Sequence, residues 1–193
     1  MSETRIREES LFSIGRRTFV GSGMLLSAAA VALLAGRPAL AAQMKKNGGQ
    51  AEDVKVLNGA LAAEHQGIAA YEVGAKSGLL QKPALDLAVQ FQGHHKAHAD
   101  LLAATIRQLG GQPEAAKSQY DFPVDRLKTQ ADVLRFAAGL EQGAVSAYLA
   151  AVPTFDNRDL AKAAASILGD EAMHWAVLRN ALGDNPVPAA FVG

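Results

Sequence analysis

The stretch Gly169-Asp170-Glu171-Ala172-Met173-His174-Trp175 decides how this chain is read. It lies within a long alanine-rich pattern of helical period. Glu171 and His174 are three residues apart, so they project from one helix face. Leu160, Ala164, Ile167, Glu171, His174, Leu178 and Ala181 recur at alternating spacings of four and three, the seam of a bundle helix. A carboxylate and an imidazole thus stand at core positions. A buried carboxylate without a partner is strongly disfavoured; it needs a cation, a hydrogen-bond network or a shifted pKa. Inward-facing Glu-x-x-His is what a metal site in a helix bundle uses. Taken alone the pair is a weak signal, because Glu and His fall three apart by chance in many exposed helices.

The same seam recurs three times upstream. Val54, Leu57, Leu61, Glu64, Ile68, Tyr71 and Ala75 carry Glu64 at mid-seam. Ala88, Phe91, His95, His98, Leu102, Thr105 and Leu109 carry two histidines there. Leu134, Ala137, Glu141, Ala144, Tyr148 and Ala151 carry Glu141. Every predicted helix therefore places ionisable groups at the middle of its apolar stripe, and a coincidence of that kind points to a shared metal site.

Composition narrows the classes. The 193 residues include no cysteine, which excludes disulfides, thiolate metal sites and cysteine nucleophiles. Formal net charge is zero, with no basic stripe and no base-stacking aromatic cluster, so nucleic-acid binding has no support. Gly15-Arg16-Arg17-Thr18-Phe19-Val20 precedes the apolar run Met24 to Ala35 and the small-x-small triplet Ala39-Leu40-Ala41. This is the pattern of a secretory signal over residues 1–41. The apolar run is shorter than the ~20 residues a membrane span needs. The arginine pair resembles a twin-arginine export signal, with Gly15 in place of the usual Ser/Thr and Val20-Gly21 in place of the final Leu-Lys. The resemblance implies export of a folded protein, a periplasmic or otherwise exported location and no membrane attachment after cleavage.

Residues 42–51, with Lys45, Lys46, Gly48 and Gly49, read as a flexible leader. One domain is expected over residues 52–183, followed by a tail over 184–193. The first helix spans about Glu52 to Ser77, with Gly78 past its end. Pro83 suits the first turn of the second helix, which stops at Gly110-Gly111. From Gly111 to Lys128 the pattern lapses, which is long for a compact domain. A crossover along a bundle explains it: helices of about 25 residues are about 38 Å long, and about eighteen extended residues reach about 60 Å. Thr129 with Asp132 resembles a capping box opening the third helix, which Pro153 closes. Asp156 or Asn157 can cap the fourth, which ends before Gly183-Asp184-Asn185-Pro186. The expected fold is all-α: two antiparallel hairpins joined by one long crossover.

The hairpins also resemble each other. Tyr71 follows Glu64 by seven residues, as Tyr148 follows Glu141. Gly93, His98 and Leu102 parallel Gly169, His174 and Leu178, and His95 falls where Glu171 falls. On these residues the chain resembles the ferritin-like family, of bacterioferritin/rubrerythrin type, over nearly all of its length after the signal. The family pattern is Glu, Glu-x-x-His, Glu, Glu-x-x-His on four successive helices. Glu64, His98, Glu141, Glu171 and His174 match it; His95 stands where the family has a carboxylate. Tyr71 and Tyr148 match tyrosines that in bacterioferritins hydrogen-bond the carboxylates of the site.

The resemblance implies a four-helix bundle holding two irons that react with oxygen or peroxide. It implies Glu64 and Glu141 as terminal ligands, His98 and His174 as one ligand to each ion, and Glu171 as a bridge. His95 breaks the bridging pattern and lowers the ligand charge from minus four to minus three, which leaves manganese, zinc or a single ion open as alternatives to a di-iron pair. Each residue also has a plainer reading. Glu64 and Glu141 as salt-bridged core acids lack a seam Lys or Arg. His95 reads equally as a packed core histidine, and Tyr71 and Tyr148 as packed tyrosines. His65 and His94 flank the seam and read as solvent-facing or as support for the ligands. Three functions stay open: a redox-active ferroxidase or peroxide scavenger, a metal- or partner-binding bundle without turnover, and a bundle with a decayed site. Expected partners are metal ions and at most a second copy in a homodimer. The short tail offers no fifth helix, so no 24-subunit storage cage is expected.

Overall fold

The computed structural model describes residues 49–192. The signal read over residues 1–41 lies outside the described residues, as does most of the leader. Within them the chain forms four long helices and no strand: α1, Gln50–Lys76; α2, Lys82–Gln108; α3, Gln130–Ala151; and α4, Arg158–Ala181. Helix α1 begins at Gln50, so the last two residues of the stretch read as leader are helical.

Local chemistry sets the ends. Thr129 accepts from the Asp132 backbone N–H while the Asp132 carboxylate accepts from the Thr129 N–H, a complete capping box at α3. The Asn157 side chain accepts from the N–H groups of Asp159 and Leu160 to open α4. Gly78, Gly110 and Gly183 take positive φ just past α1, α2 and α4, where a side chain would be strained. Pro153 lies in a 3₁₀ turn, Val152–Thr154, that closes α3.

The seams hold with local shifts. On α2, Ala88, Phe91, His95, Leu102, Thr105 and Leu109 are buried, and His98 is nearly so. On α3 the buried path runs Leu134, Ala138, Glu141, Val145 and Tyr148, while Ala137, Ala144 and Ala151 are half-buried. Both paths share Leu134, Glu141 and Tyr148, and their other members are all Ala or Val, so hydropathy does not choose between them. Ala181, in the last turn of α4, is exposed. On α1 the helices approach so closely that a Cβ on Gly74 would lie 3.1 Å from Val133 Cγ1 of α3.

The apolar core is split in two. One cluster holds Leu57 and Leu61 of α1, Leu102 and Ile106 of α2, Tyr148 at the end of α3, and Leu160 and Ile167 of α4. The other holds Tyr71 of α1, Ala88 and Phe91 of α2, Leu134 and Ala138 of α3, and Leu178 of α4, with Trp175 packed at its edge. Glu64, His95, Glu141 and Glu171 each fall between the two clusters in chain order. The order also gives direction: α1 and α4 run one way, α2 and α3 the other. Helix α1 packs chiefly on α2, and α3 chiefly on α4.

The segment from Leu109 to Thr129 must therefore travel the length of the bundle. It lies along α1: Asn58 Nδ2 donates to the Gln112 carbonyl at 3.0 Å, and the Glu114 N–H donates to Asn58 Oδ1 at 2.8 Å. A 3₁₀ turn, Val124–Arg126, interrupts it, and Phe122 rests edge-on against Phe136 of α3. No helix among the described residues is long and apolar enough to cross a membrane.

Candidate metal centre

The six mid-seam residues of the four helices meet in one place. His95, on α2, lies 2.7 Å by its Nδ1 from Glu64 Oε2 of α1 and 3.4 Å by its Nε2 from Glu141 Oε1 of α3. His98 Nδ1 stands 3.1 Å from Glu171 Oε1 of α4 and 3.5 Å from Glu64 Oε2. His174 Nδ1 stands 3.4 Å from Glu141 Oε1 and 3.5 Å from Glu171 Oε2. Glu64, Glu141, Glu171 and His174 are at most 2 % exposed, so water does not satisfy them.

The tyrosines close the frame. Tyr71 of α1 donates to Glu141 of α3, and Tyr148 of α3 donates to Glu64 of α1 at 2.5 Å. Each hairpin thus holds the other's carboxylate, as the repeated Glu-to-Tyr spacing requires of a pseudo-twofold pair. Burial, and then the adjoining carboxylate, push both phenols well above their ordinary pKa, so they remain donors.

Two residues that periodicity placed off the seam belong here as well. Asp170 Oδ2 lies 3.4 Å from His98 Nε2, 3.3 Å from His174 Nε2 and 3.1 Å from His94 Nδ1. One carboxylate therefore orients the outer nitrogens of both His98 and His174 and turns each Nδ1 inward. His94 also approaches His174 Nε2 at 2.9 Å and is part-exposed. Asp170 precedes His174 by four residues, and that shared helix face was its signal in the sequence. His65 is elsewhere, 3.3 Å from the Glu114 carbonyl of the crossover. Phe91 stacks on the His174 ring at 4.0 Å between centroids.

The electrostatics are those of interlocked acids and imidazoles. Burial pulls His98 and His174 down, but contacts with Asp170, Glu171 and their neighbouring acids outweigh it and lift both to about 11. Burial opposes His95 as well, and Glu141 and Glu64 raise it to about 9. Burial pushes Glu64 and Glu141 up, yet the facing histidines hold Glu64 below and Glu141 well below the usual carboxylate range. Glu171 goes the other way: burial dominates, and Glu141 beside it adds repulsion.

These contacts do not satisfy the cluster. His98 Nδ1, His174 Nδ1, Glu141 Oε2 and both Glu171 oxygens are buried and find no hydrogen-bond partner among the described residues. These atoms face one another at short range but off the angles a hydrogen bond needs. Two overlapping quartets of donor atoms each fit one ion: Glu64, His95, His98 and Glu171, and His95, Glu141, Glu171 and His174. His94, Asp170 and His174 form a third, shallower group. Carboxylate and imidazole donors without thiolate suit iron, manganese or zinc.

A family profile described as Ferritin-like domain matches residues 52–184. The chain belongs to the ferritin-like domain family. Its fold is shared by a solved Bacillus anthracis protein described as a ferritin-like diiron-carboxylate protein, at TM-score 0.61 and 20% identity, covering 70% of this chain and 99% of that one. A conserved hypothetical protein of Mycobacterium tuberculosis is similar at TM-score 0.64 and 24% identity, over 74% of this chain and 99% of that one. No curated protein matches the chain. Within the ferritin-like frame, the cluster found here occupies the bundle centre, between the two apolar layers.

Proposed function

We propose that this ferritin-like bundle holds a carboxylate–histidine metal centre of the di-iron type, with Glu64, His95, His98, Glu141, Glu171 and His174 as its ligands. The observation that carries the reading is the set of five buried donor atoms at mid-bundle that find no partner among the described residues. Desolvating such atoms costs about 1–3 kcal/mol each when nothing binds them, and a cation removes that cost. Iron bound there would supply redox chemistry toward oxygen or peroxide, and ferroxidase or peroxide-scavenging activity is the finer reading. The chain's own groups do the rest. Asp170 fixes the tautomers of His98 and His174, the tyrosines anchor Glu64 and Glu141, and the apolar layers exclude water.

Elemental analysis and anaerobic ferrous titration test the reading. About two ions per chain are expected, together with a melting temperature that falls on chelation. Sub-stoichiometric metal and an unchanged melt would refute it. A second reading has its own support, because the raised histidines already neutralise the acids. In that case the cluster is a metal-free ionic network and the bundle binds a partner or serves only as structure. We further propose export, motivated by Arg16-Arg17 ahead of the apolar run. Changing both to Lys should leave the protein in the cytoplasm, and undiminished export would dispose of the twin-arginine reading.

A further inference from the structure

We propose that His95 ligates both metal positions, one through each ring nitrogen, and that Gly67 exists to let the ring stand between them. The proposal rests on the metal-centre reading above. His98 and His174 each belong to one donor quartet, and each has its Nε2 against Asp170 Oδ2. Each therefore offers a single nitrogen to the centre. His95 belongs to both quartets. Its Nδ1 faces Glu64 at 2.7 Å and Glu171 at 3.6 Å, while its Nε2 faces Glu141 at 3.4 Å. Both nitrogens look inward, Nδ1 toward Glu64 and Glu171 and Nε2 toward Glu141.

The backbone is shaped for that ring. A Cβ on Gly67 would stand 3.1 Å from His95 Cε1 and Nδ1 and 3.3 Å from Cγ, closer than packed atoms ordinarily come. Glycine in the interior of a helix is unfavourable, so its presence calls for a reason. The repeat supplies one. Gly67 follows Glu64 by three residues as Ala144 follows Glu141. The smaller residue occurs in the hairpin that carries His95, and alanine in the one that carries Glu171.

Charge agrees. A histidine in place of a carboxylate leaves three anionic ligands for two cations. A ring bound at both nitrogens has given both N–H protons to solvent and is itself an anion, which restores the fourth negative charge. Glu171 and the His95 imidazolate then form the two bridges, one from each hairpin.

Copper(II) serves as the probe, loaded into apo protein and followed by metal analysis and electron paramagnetic resonance. Wild type should take up two ions whose spins couple, so that the signal of isolated copper(II) is lost. His95→Ala should keep one ion with an uncoupled signal. Imidazole added during loading should restore the second ion and the coupling, whereas 1-methylimidazole, with one free nitrogen, should not. Gly67→Ala, with helix content unchanged by circular dichroism, should weaken the second ion at least tenfold. Two uncoupled ions in wild type, equal rescue by both imidazoles, coupling retained in His95→Ala, or unaltered binding in Gly67→Ala would each overturn the bridge and leave a metal centre standing. Wild type that binds no metal would remove both readings.

Discussion

The two hairpins are the same device with different chemistry at one step. Helices α1 and α3 each supply a glutamate and, two turns on, a tyrosine that reaches across to the other's glutamate. Helices α2 and α4 each supply a histidine held from outside by Asp170. At the centre they part where α2 has His94-His95 and α4 has Asp170-Glu171, and where α1 has Gly67 and α3 has Ala144. They also part at their starts. Side chains cap α3 and α4, whereas Gly49 and Gln81 offer α1 and α2 none. The difference teaches that a repeated frame fixes where donors stand, while single substitutions inside it decide what charge they bring.

The largest effect should come from setting Glu171 against its counterpart His95. Glu171→Gln removes a charge common to both quartets and should lower metal affinity at least a hundredfold in a titration, in line with a lost ligand charge between two cations. In metal-free protein the same change should leave the melt unchanged or raise it, because burial and Glu141 already disfavour the Glu171 carboxylate. A lower apo melt would mean that the cluster is built to be ionised without metal.

The hairpins should also titrate differently. His98 and His174 rise to about 11, one in each hairpin, while His95, at about 9, has no imidazole counterpart on α4. All three are raised above their ordinary value of about 6.5. Their contribution is therefore complete below about pH 6.5 and is lost as pH climbs through the folded values. Apo protein should lose stability from about pH 7 to 11, with a break in slope near 9 that His95→Gln abolishes. Metal affinity should move oppositely, rising with pH as protons cease to compete for the same nitrogens. Parallel curves for apo and loaded protein would break the assignment.

Tyr71→Phe and Tyr148→Phe probe the symmetric part. Each leaves a buried carboxylate short of a donor and should cost about 2 kcal/mol in chemical denaturation, by nearly equal amounts. Unequal costs would show that the pseudo-twofold relation ends at the ligands. The smallest effect belongs to the caps. Asn157→Ala should cost about 1 kcal/mol. In hydrogen exchange the first turns of α1 and α2 should open faster than those of α3 and α4.

Sequence reading reached the frame and the residues of the central cluster for one reason: ionisable residues recur at mid-seam on all four helices. Glu64, His95, His98, Glu141, Glu171 and His174 all lie within the cluster, and the Thr129–Asp132 box and the Asn157 cap are where their residue types put them. Asp170 escaped, and His94 reads equally as solvent-facing or as support for the ligands, because a polar residue beside a seam is indistinguishable from one facing solvent until α2 is set against α4. The Ala138 and Val145 path on α3 escaped because a stripe of alanines has no preferred edge. That His95 turns both nitrogens inward depends on Gly67, on a different helix, and periodicity within one helix cannot express it.

The division of contacts has a kinetic consequence. Each hairpin closes between neighbours in sequence, and such local contacts form early. Neither hairpin alone contains a full quartet: Glu64, His95 and His98 arrive with the first, Glu141, Glu171 and His174 with the second. In the folded chain the crossover that joins them lies along α1. Docking of the hairpins, which joins elements distant in sequence, is then expected to come last, and it is the first point at which an ion finds all four ligands of a quartet. An ion captured then acts as a latch on the slowest step. It should slow unfolding far more than it speeds refolding, and stopped-flow measurements in which metal chiefly accelerated refolding would contradict that order of events.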